Sequence, residues 1–171
     1  MRKIGFIFLT IIMLAQWSCI TNQNKYKETD IFEEYETHGG FTVLHLPPVL
    51  FKIALSVSDE SGTSSKDILN KIDVVKVLFF EESERSLSVL ELKNSFNEKI
   101  IEYNYNLLTR IAEEKNDISI YIIEEEKTIY EVLITIVSEG EYLALNIVGQ
   151  LTKEDVMEVY KSVNMQNIQN L

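Results

Sequence analysis

The sequence predicts an α+β fold, in which helices pack on one face of a mixed, mainly antiparallel sheet. Two observations predict it: the predicted strands are concentrated in the second half of the chain, and the helical segments each carry one apolar side. The predicted order is helix, strand, two helices, strand, helix, a three- or four-stranded meander and a closing helix. A sheet with its helices gathered on one face suits that order.

The domain begins with a short helix, in which Ile31, Phe32 and Tyr35 share one side and which Gly39 and Gly40 end. The alternation in FTVLHL (residues 41–46) predicts the first strand. Two prolines end that strand and open a helix, because a proline in the first helical turn loses no hydrogen bond. A second helix is predicted from a capping-box-like start at Ser64 through Ile72.

The middle of the chain is predicted to hold a strand at residues 74–82, with apolar residues on both faces that favour an interior position. Phe96, Ile100 and Tyr103 step by four and three residues, which predicts a helix over residues 95–104. Residues 104–114 could continue that helix or form a strand from about Thr109. We favour the strand, because KND at 115–117 would then make a hairpin turn.

Three strands are predicted next, over residues 118–124, 128–138 and 141–149. Gly140 supplies the positive φ that a tight turn between the last two requires. The closing helix begins with a capping box at Thr152 and Asp155.

The length of 171 residues suits one domain preceded by a targeting segment. A basic start and twelve mainly apolar residues (4–15) are too short for a membrane-spanning helix of about 20 residues and are typical of a secretory signal peptide. The predicted organisation is a signal peptide at 1–18, a lipidated cysteine with a flexible tether at 19–28, and a single α+β domain at 29–165.

The charge of the mature chain excludes two classes of partner. Residues 1–18 contain two basic residues and no acidic ones, so the remainder carries 14 basic and 27 acidic side chains, a net charge of −13. Such a protein repels the phosphates of nucleic acids and the headgroups of anionic lipids. We therefore expect no nucleic-acid partner, and any membrane attachment has to be covalent.

Cys19 is the only cysteine, so no internal disulfide can form. Together with His38 and His45 it cannot complete a four-ligand zinc site. Its position at the end of the signal peptide instead indicates a processing site. Ordinary cleavage of a plainly secreted protein is the alternative, but cleavage after Trp17 or Ile20 would leave a bulky residue where a small one is preferred.

The residues before Cys19 resemble a bacterial lipoprotein signal. Leu14 and Ala15 close the apolar run and the small Ser18 directly precedes the cysteine, although Gln16 and Trp17 depart from the strict pattern. The resemblance implies cleavage before Cys19 and acylation of its thiol. Each buried acyl methylene contributes about 0.8 kcal/mol, so several chains on one cysteine anchor a protein stably.

Four pieces of the chain resemble, in hydrophobic pattern, order and spacing, the Bacteroidota domain of unknown function catalogued as DUF4252. They are GGFTVLHLPPVLF (39–51), LNKIDVVKVLFF (69–80), YNLLTRIAEEKNDISIYIIEE (105–125) and VLITIVSEGEYLALNIVGQLTKEDV (132–156). Asn104 replaces the glycine that is usual before the third piece. The resemblance implies a small exported protein and brings no established activity or functional residue. Surface-exported lipoproteins of this bacterial group often carry an acidic run after the cysteine; residues 20–27 have none, which favours the periplasm.

The histidines are the first candidates for chemistry. We interpret His38 as a solvated turn residue and His45 as a half-exposed strand residue, because neither has a companion ligand in the sequence. A G-x-S-x-G motif around a nucleophilic serine is absent from the sequence. We therefore predict no catalytic, cofactor-binding or metal-binding residue and no cofactor; the only predicted site is lipidation of Cys19.

Acidic runs at residues 81–84, 113–115 and 124–127 lie at predicted strand ends and turns. We interpret them as solvated turns, since a paired-carboxylate site needs two carboxyl groups held across a cleft. Tyr121, Tyr130 and Tyr142 are interpreted as cross-strand packing rather than as an aromatic binding surface.

The leading hypothesis is a non-enzymatic, lipid-anchored protein of the cell envelope that binds another envelope protein or a small ligand. The alternative is an envelope hydrolase with a dispersed Ser/His/Asp site or a paired-carboxylate site.

Overall fold

A computed structural model of the chain describes residues 26–51, 67–68, 70–83, 87–112 and 115–162. Its named helices are α1 (Glu33–Glu36), α2 (Val89–Glu102) and α3 (Lys153–Ser162), with further helical residues at 48–51 and 67–68. The strands are β1 (Phe41–Leu46), β2 (Ile72–Glu81), β3 (Asn106–Ala112), β4 (Asp117–Glu125), β5 (Thr128–Ser138) and β6 (Glu141–Leu151).

The six strands form one open sheet in the order β1-β2-β6-β5-β4-β3. The α+β class and the antiparallel character of the sheet are confirmed. Every pairing between the described strands is antiparallel, so the expected parallel component of a mixed sheet is not found among them. β2 pairs with both β1 and β6, which agrees with the interior position predicted for it.

Both faces of the sheet are covered, and the prediction of helices on one face is wrong. The buried side chains of α3 belong to one hydrophobic cluster, with Ile147 of β6, whereas those of α2 belong to a second cluster, with Ala144 of the same strand. Side chains three residues apart on a strand point to opposite faces. Because β5 and β6 carry apolar residues at consecutive positions, each of their faces needs its own cover. We call the two sides the α2 face and the α3 face.

Helix α2 starts at Val89, six residues earlier than predicted, because Ser88 and Glu91 form a capping box that the prediction did not include. The Oγ of Ser88 accepts a hydrogen bond from Glu91 N at 3.3 Å, and the Glu91 carboxylate accepts one from Ser88 N at 2.9 Å. The helix ends at Glu102, and Asn104 turns the chain with a φ of +59°. β3 then begins at Asn106, so the preferred strand interpretation of residues 104–114 is confirmed, with an earlier start.

Ile72 was predicted to end a helix, but it is the first residue of β2. The preceding Lys71 lies tightly against β6: its carbonyl accepts a hydrogen bond from Gln150 N at 2.9 Å, and a Cβ on Gly149 would lie 2.2 Å from that oxygen. Only glycine at position 149 lets the Lys71 carbonyl come this close to β6. The chain at Lys71 is therefore already held beside β6, and β2 begins at the next residue. The predicted capping box at Thr152 and Asp155 is present, and Lys71 Nζ lies 2.7 Å from the Asp155 carboxylate.

Several predictions fall outside the described residues. These are the signal peptide, Cys19 and most of the tether at the N-terminus, most of the two helices predicted between Pro48 and Ile72, and the end of the closing helix beyond residue 162.

Candidate functional site

The two candidate histidines lie on the surface, next to helix α1. The Nδ1 of His38 donates to the carbonyl oxygen of Glu34 at 2.5 Å, and Nε2 of His45 lies 2.8 Å from the carboxylate of Glu36. The His45 side chain is 56% exposed. Both imidazoles therefore bind the helix that precedes β1, as expected for surface residues.

The acidic runs are also at the surface where the structure describes them. Glu81 and Glu82 are exposed at the end of β2, and Glu82 accepts a hydrogen bond from Val89 N at 2.8 Å at the start of α2. Glu126 has a φ of +57° in the turn between β4 and β5. Glu124 pairs with Lys153 at 3.2 Å. Residues 84, 113 and 114 lie outside the described part of the chain.

The three candidate tyrosines do not form one surface. Tyr142 is buried and packs against Phe96 of α2, with ring centroids 5.4 Å apart. Tyr130 instead stacks on Tyr26, with centroids 4.7 Å apart. Tyr121 contacts the cluster on the α2 face. Tyr142 lies opposite Phe80 on β2 and Val137 on β5, and Tyr121 lies opposite Leu133 on β5, so the predicted cross-strand packing is present for these two residues.

The polar site that does form was not predicted, and it lies under an N-terminal segment. Residues 26–30, which we call the strap, precede α1 and bind Lys76 and Glu131. Each of these two residues shares a sheet face with the residue two positions further on, Leu78 or Leu133, which belongs to the cluster on the α2 face. Tyr26 and Glu28 belong to the strap and also to the predicted flexible tether at residues 19–28. The last residues of that tether are therefore bound to the domain. The strap covers two buried ionisable residues, Lys76 and Glu131.

Glu131 is the centre of the site, and its side chain is fully buried. Its Oε1 accepts hydrogen bonds from the hydroxyl of Tyr26 at 2.9 Å and from the backbone N–H of Thr29 at 2.6 Å. Its Oε2 accepts from the hydroxyls of Thr29 at 3.0 Å and Tyr105, and from Nδ2 of Asn146 at 3.1 Å. A buried carboxylate is costly unless hydrogen bonds replace the lost water, and five donors do so here.

Lys76 is the second buried charge, with 4% of its surface exposed. Its Nζ lies 2.6 Å from the carboxylate of Asp30 and 3.1 Å from that of Glu28, both in the strap. Burial alone would lower the pKa of Lys76, but the hydrogen bonds with Asp30 and Glu28 outweigh it, so the pKa is raised. The ammonium is therefore held charged beneath the strap.

The tyrosine hydroxyls around Glu131 stay protonated. Burial raises the pKa of both Tyr26 and Tyr105, and the nearby negative charge of Glu131 raises it further. Each hydroxyl is thus a dependable hydrogen-bond donor at any physiological pH. This arrangement holds a carboxylate in place; it offers no tyrosinate for use as a base.

The geometry indicates what the site can do. Each oxygen of Glu131 is already surrounded by two or three donors, which suits an anion held in place rather than a ligand for a cation. Within the described residues, no three His, Cys, Asp or Glu side chains converge as a metal ion would require. Beside the strap lies a groove of about 450 Å³, lined by residues that include Tyr26, Asp73, Tyr130 and Gln150. The site can therefore hold the strap and border a small groove.

Sequence reasoning missed this site although a signal was present. Lys76, Glu131 and Asn146 each interrupt a strand that is otherwise apolar around them. An isolated polar residue in an interior strand predicts a buried polar group with partners. Strand register was needed to bring them together: Lys76 lies opposite Asn146 on the adjacent strand, and Glu131 reaches Asn146 from the other side.

Residues 35–159 match the family described as Domain of unknown function (DUF4252), and the chain belongs to this family. The match covers the whole sheet and begins after the strap. Among the described helices, none is long and apolar enough to cross a membrane.

Proposed function

We propose that this protein is a lipid-anchored module of the cell envelope that binds a partner and has no catalytic activity of its own. The observation that carries the proposal is the position of the strap. Tyr26, only seven residues after Cys19, is bound to the sheet through Glu131 and Tyr130. Seven residues span at most about 25 Å, so an anchor at Cys19 would hold the domain close to the membrane.

The contacts of the buried charges support binding over catalysis. Lys76 and Glu131 hold the strap, and Asp155 holds Lys71 and the first turn of α3. Catalytic acids and bases have to face a cleft where substrate reaches them. Here the hydrogen bonds and ion pairs of these groups are made with other segments of the protein, which they hold in place.

Exposed apolar side chains support a partner-binding surface. Leu90 and Ile101 on α2 are 67% and 75% exposed. They are eleven residues apart, which is about three helical turns, so both lie on the outer side of the helix. A partner that covered this side would bury both residues.

The anchor is tested by labelling cells with radioactive fatty acid. We expect label in the wild-type protein and the protein in the membrane fraction. Cys19→Ala should lose all label and be released, because a single thiol carries the acyl chains. Ser18→Ala is the matched control and should keep the label, since alanine is also small. Label that persists in Cys19→Ala would contradict the anchor.

Binding is tested by placing a photo-cross-linking amino acid at Leu90 or Ile101 in cells. We expect a discrete adduct with one envelope protein from these positions and none from the same amino acid at Glu125, an exposed residue at the end of β4. An adduct that forms equally from all three positions, or from none, would contradict a specific partner on this side of α2.

A further inference from the structure

The strap is attached to the sheet almost entirely by side chains. Among the described residues, no backbone–backbone hydrogen bond joins the strap to a strand; its one backbone contact with the sheet runs from Thr29 N to the Glu131 side chain. The remaining contacts are hydroxyl and carboxylate groups and the stacked ring of Tyr26. Removing such a segment breaks no strand ladder.

A sharp boundary separates the strap from the core. Asp30 has a φ of +53°, a conformation that aspartate tolerates better than most residues do. The next residues, Ile31 and Phe32, are 2% and 0% exposed in the cluster on the α2 face. The chain therefore changes direction at Asp30, whose carbonyl accepts a hydrogen bond from Glu33 N at 3.0 Å, and it is buried immediately afterwards, so a detaching segment has to end at this residue.

The groups beneath the strap can remain without it. Glu131 keeps the hydroxyl of Tyr105 and the amide of Asn146, which both belong to the sheet side of the site. Lys76 loses Asp30 and Glu28, but removal of the cover also admits water to the ammonium. The groove beside Tyr130 is lined in part by the strap itself, through Tyr26, Lys27 and Glu28.

We propose that residues 26–30 are a releasable strap, which detaches as one unit at Asp30 while the sheet stays folded. Release uncovers Glu131 and Lys76 as a polar site. It also adds five residues to the segment between Cys19 and the core, which lengthens its span by about 17 Å. The change in span rests on the proposed lipid at Cys19; the release itself does not, because all its contacts lie within the domain.

Amide hydrogen exchange on the full chain in mild detergent tests the release without any need for the lipid. In the wild-type protein we expect the amide of Thr29, the strap N–H that is bonded to Glu131, to exchange faster than those of β5 and β6, with a rate that low denaturant concentrations leave unchanged, since a local opening exposes little surface. The double variant Tyr26→Phe/Thr29→Val removes two hydroxyl donors from the strap. It should accelerate exchange of the amide of residue 29 at least tenfold and leave β5 and β6 at the wild-type rate.

Lys27→Ala is the matched control, because Lys27 is an exposed residue of the same strap, and it should change neither rate. Acceleration of strap, β5 and β6 together in the double variant would show that the strap unfolds only with the domain, and would overturn the proposal. A wild-type Thr29 amide that exchanges as slowly as the amides of β6 would overturn it too. Trypsin cleavage after Lys27 gives a second readout, which should quicken in the double variant.

Discussion

Replacement of Glu131 by glutamine is expected to lower the free energy of unfolding by about 3 kcal/mol. Glutamine has the same shape, but its NH2 group would face two or three of the donors that now point at a carboxylate oxygen. Donors left unsatisfied in a buried site cost about 1 to 3 kcal/mol each, and relief from burying a charge offsets part of this. Equilibrium denaturation in urea, monitored by circular dichroism, measures the change.

Glu125→Gln is the matched control for this substitution, because Glu125 is exposed at the end of a neighbouring strand and should change stability by less than about 0.5 kcal/mol. Tyr105→Phe removes one donor to the same carboxylate. The double variant Glu131→Gln/Tyr105→Phe should therefore lose less than the sum of the single variants, since the two residues share one network. A cost for Glu131→Gln equal to that of Glu125→Gln would contradict the network.

Phe96→Ala is expected to destabilise the protein by about 4 kcal/mol. Phe96 is fully buried and contacts the rings of Phe32, Tyr35 and Tyr142, with centroids between 5.4 and 6.0 Å. Removing its ring leaves a cavity at the point where α1, α2 and β6 meet, and the neighbouring rings cannot all move in to fill it. Thermal and urea denaturation measure the loss.

Leu90→Ala is the control on the same helix, because Leu90 is 67% exposed, and it should change stability by less than about 0.5 kcal/mol. The pair of variants tests which side of α2 faces the sheet. Equal losses for Phe96→Ala and Leu90→Ala would mean that the helix is rotated relative to the sheet, or that a partner covers its outer side under the conditions of the measurement.

The two-sided core explains why the architecture was only partly predictable. Residues 128–138 and 141–149 are mainly apolar and are separated by a Glu139–Gly140 turn, which is enough to predict β5 and β6 as a hairpin. The same residues are apolar at consecutive positions over much of each strand, which indicates that both faces are buried. The sequence does not say which helix covers which face. That depends on the paths of the connections, which local periodicity does not contain.

The boundaries of α2 and β3 give a second case. Ser88 and Glu91 carry a readable capping signal three residues apart, so the start of α2 was available from the sequence. The start of β3 was harder to predict from the sequence, because Leu107 and Leu108 suit a helix and a strand about equally. Pairing with β4 decides between them, since Asn106 lies opposite Ile122 and Leu107 opposite Tyr121.

The α+β class, most strands and the closing capping box are readable from the sequence because they follow from local periodicity and residue order. The family was predicted from the resemblance of four pieces of the chain to it. The sequence also predicts the export signal and the role of Cys19. Only the tertiary structure decided that helices cover both faces and that Glu131, Lys76 and Asn146 meet under residues 26–30. The physical reason is that a buried charge finds partners from distant parts of the chain: Thr29 and Glu131 are 102 residues apart. Such a meeting depends on the path of the chain between the strands, which local periodicity does not contain.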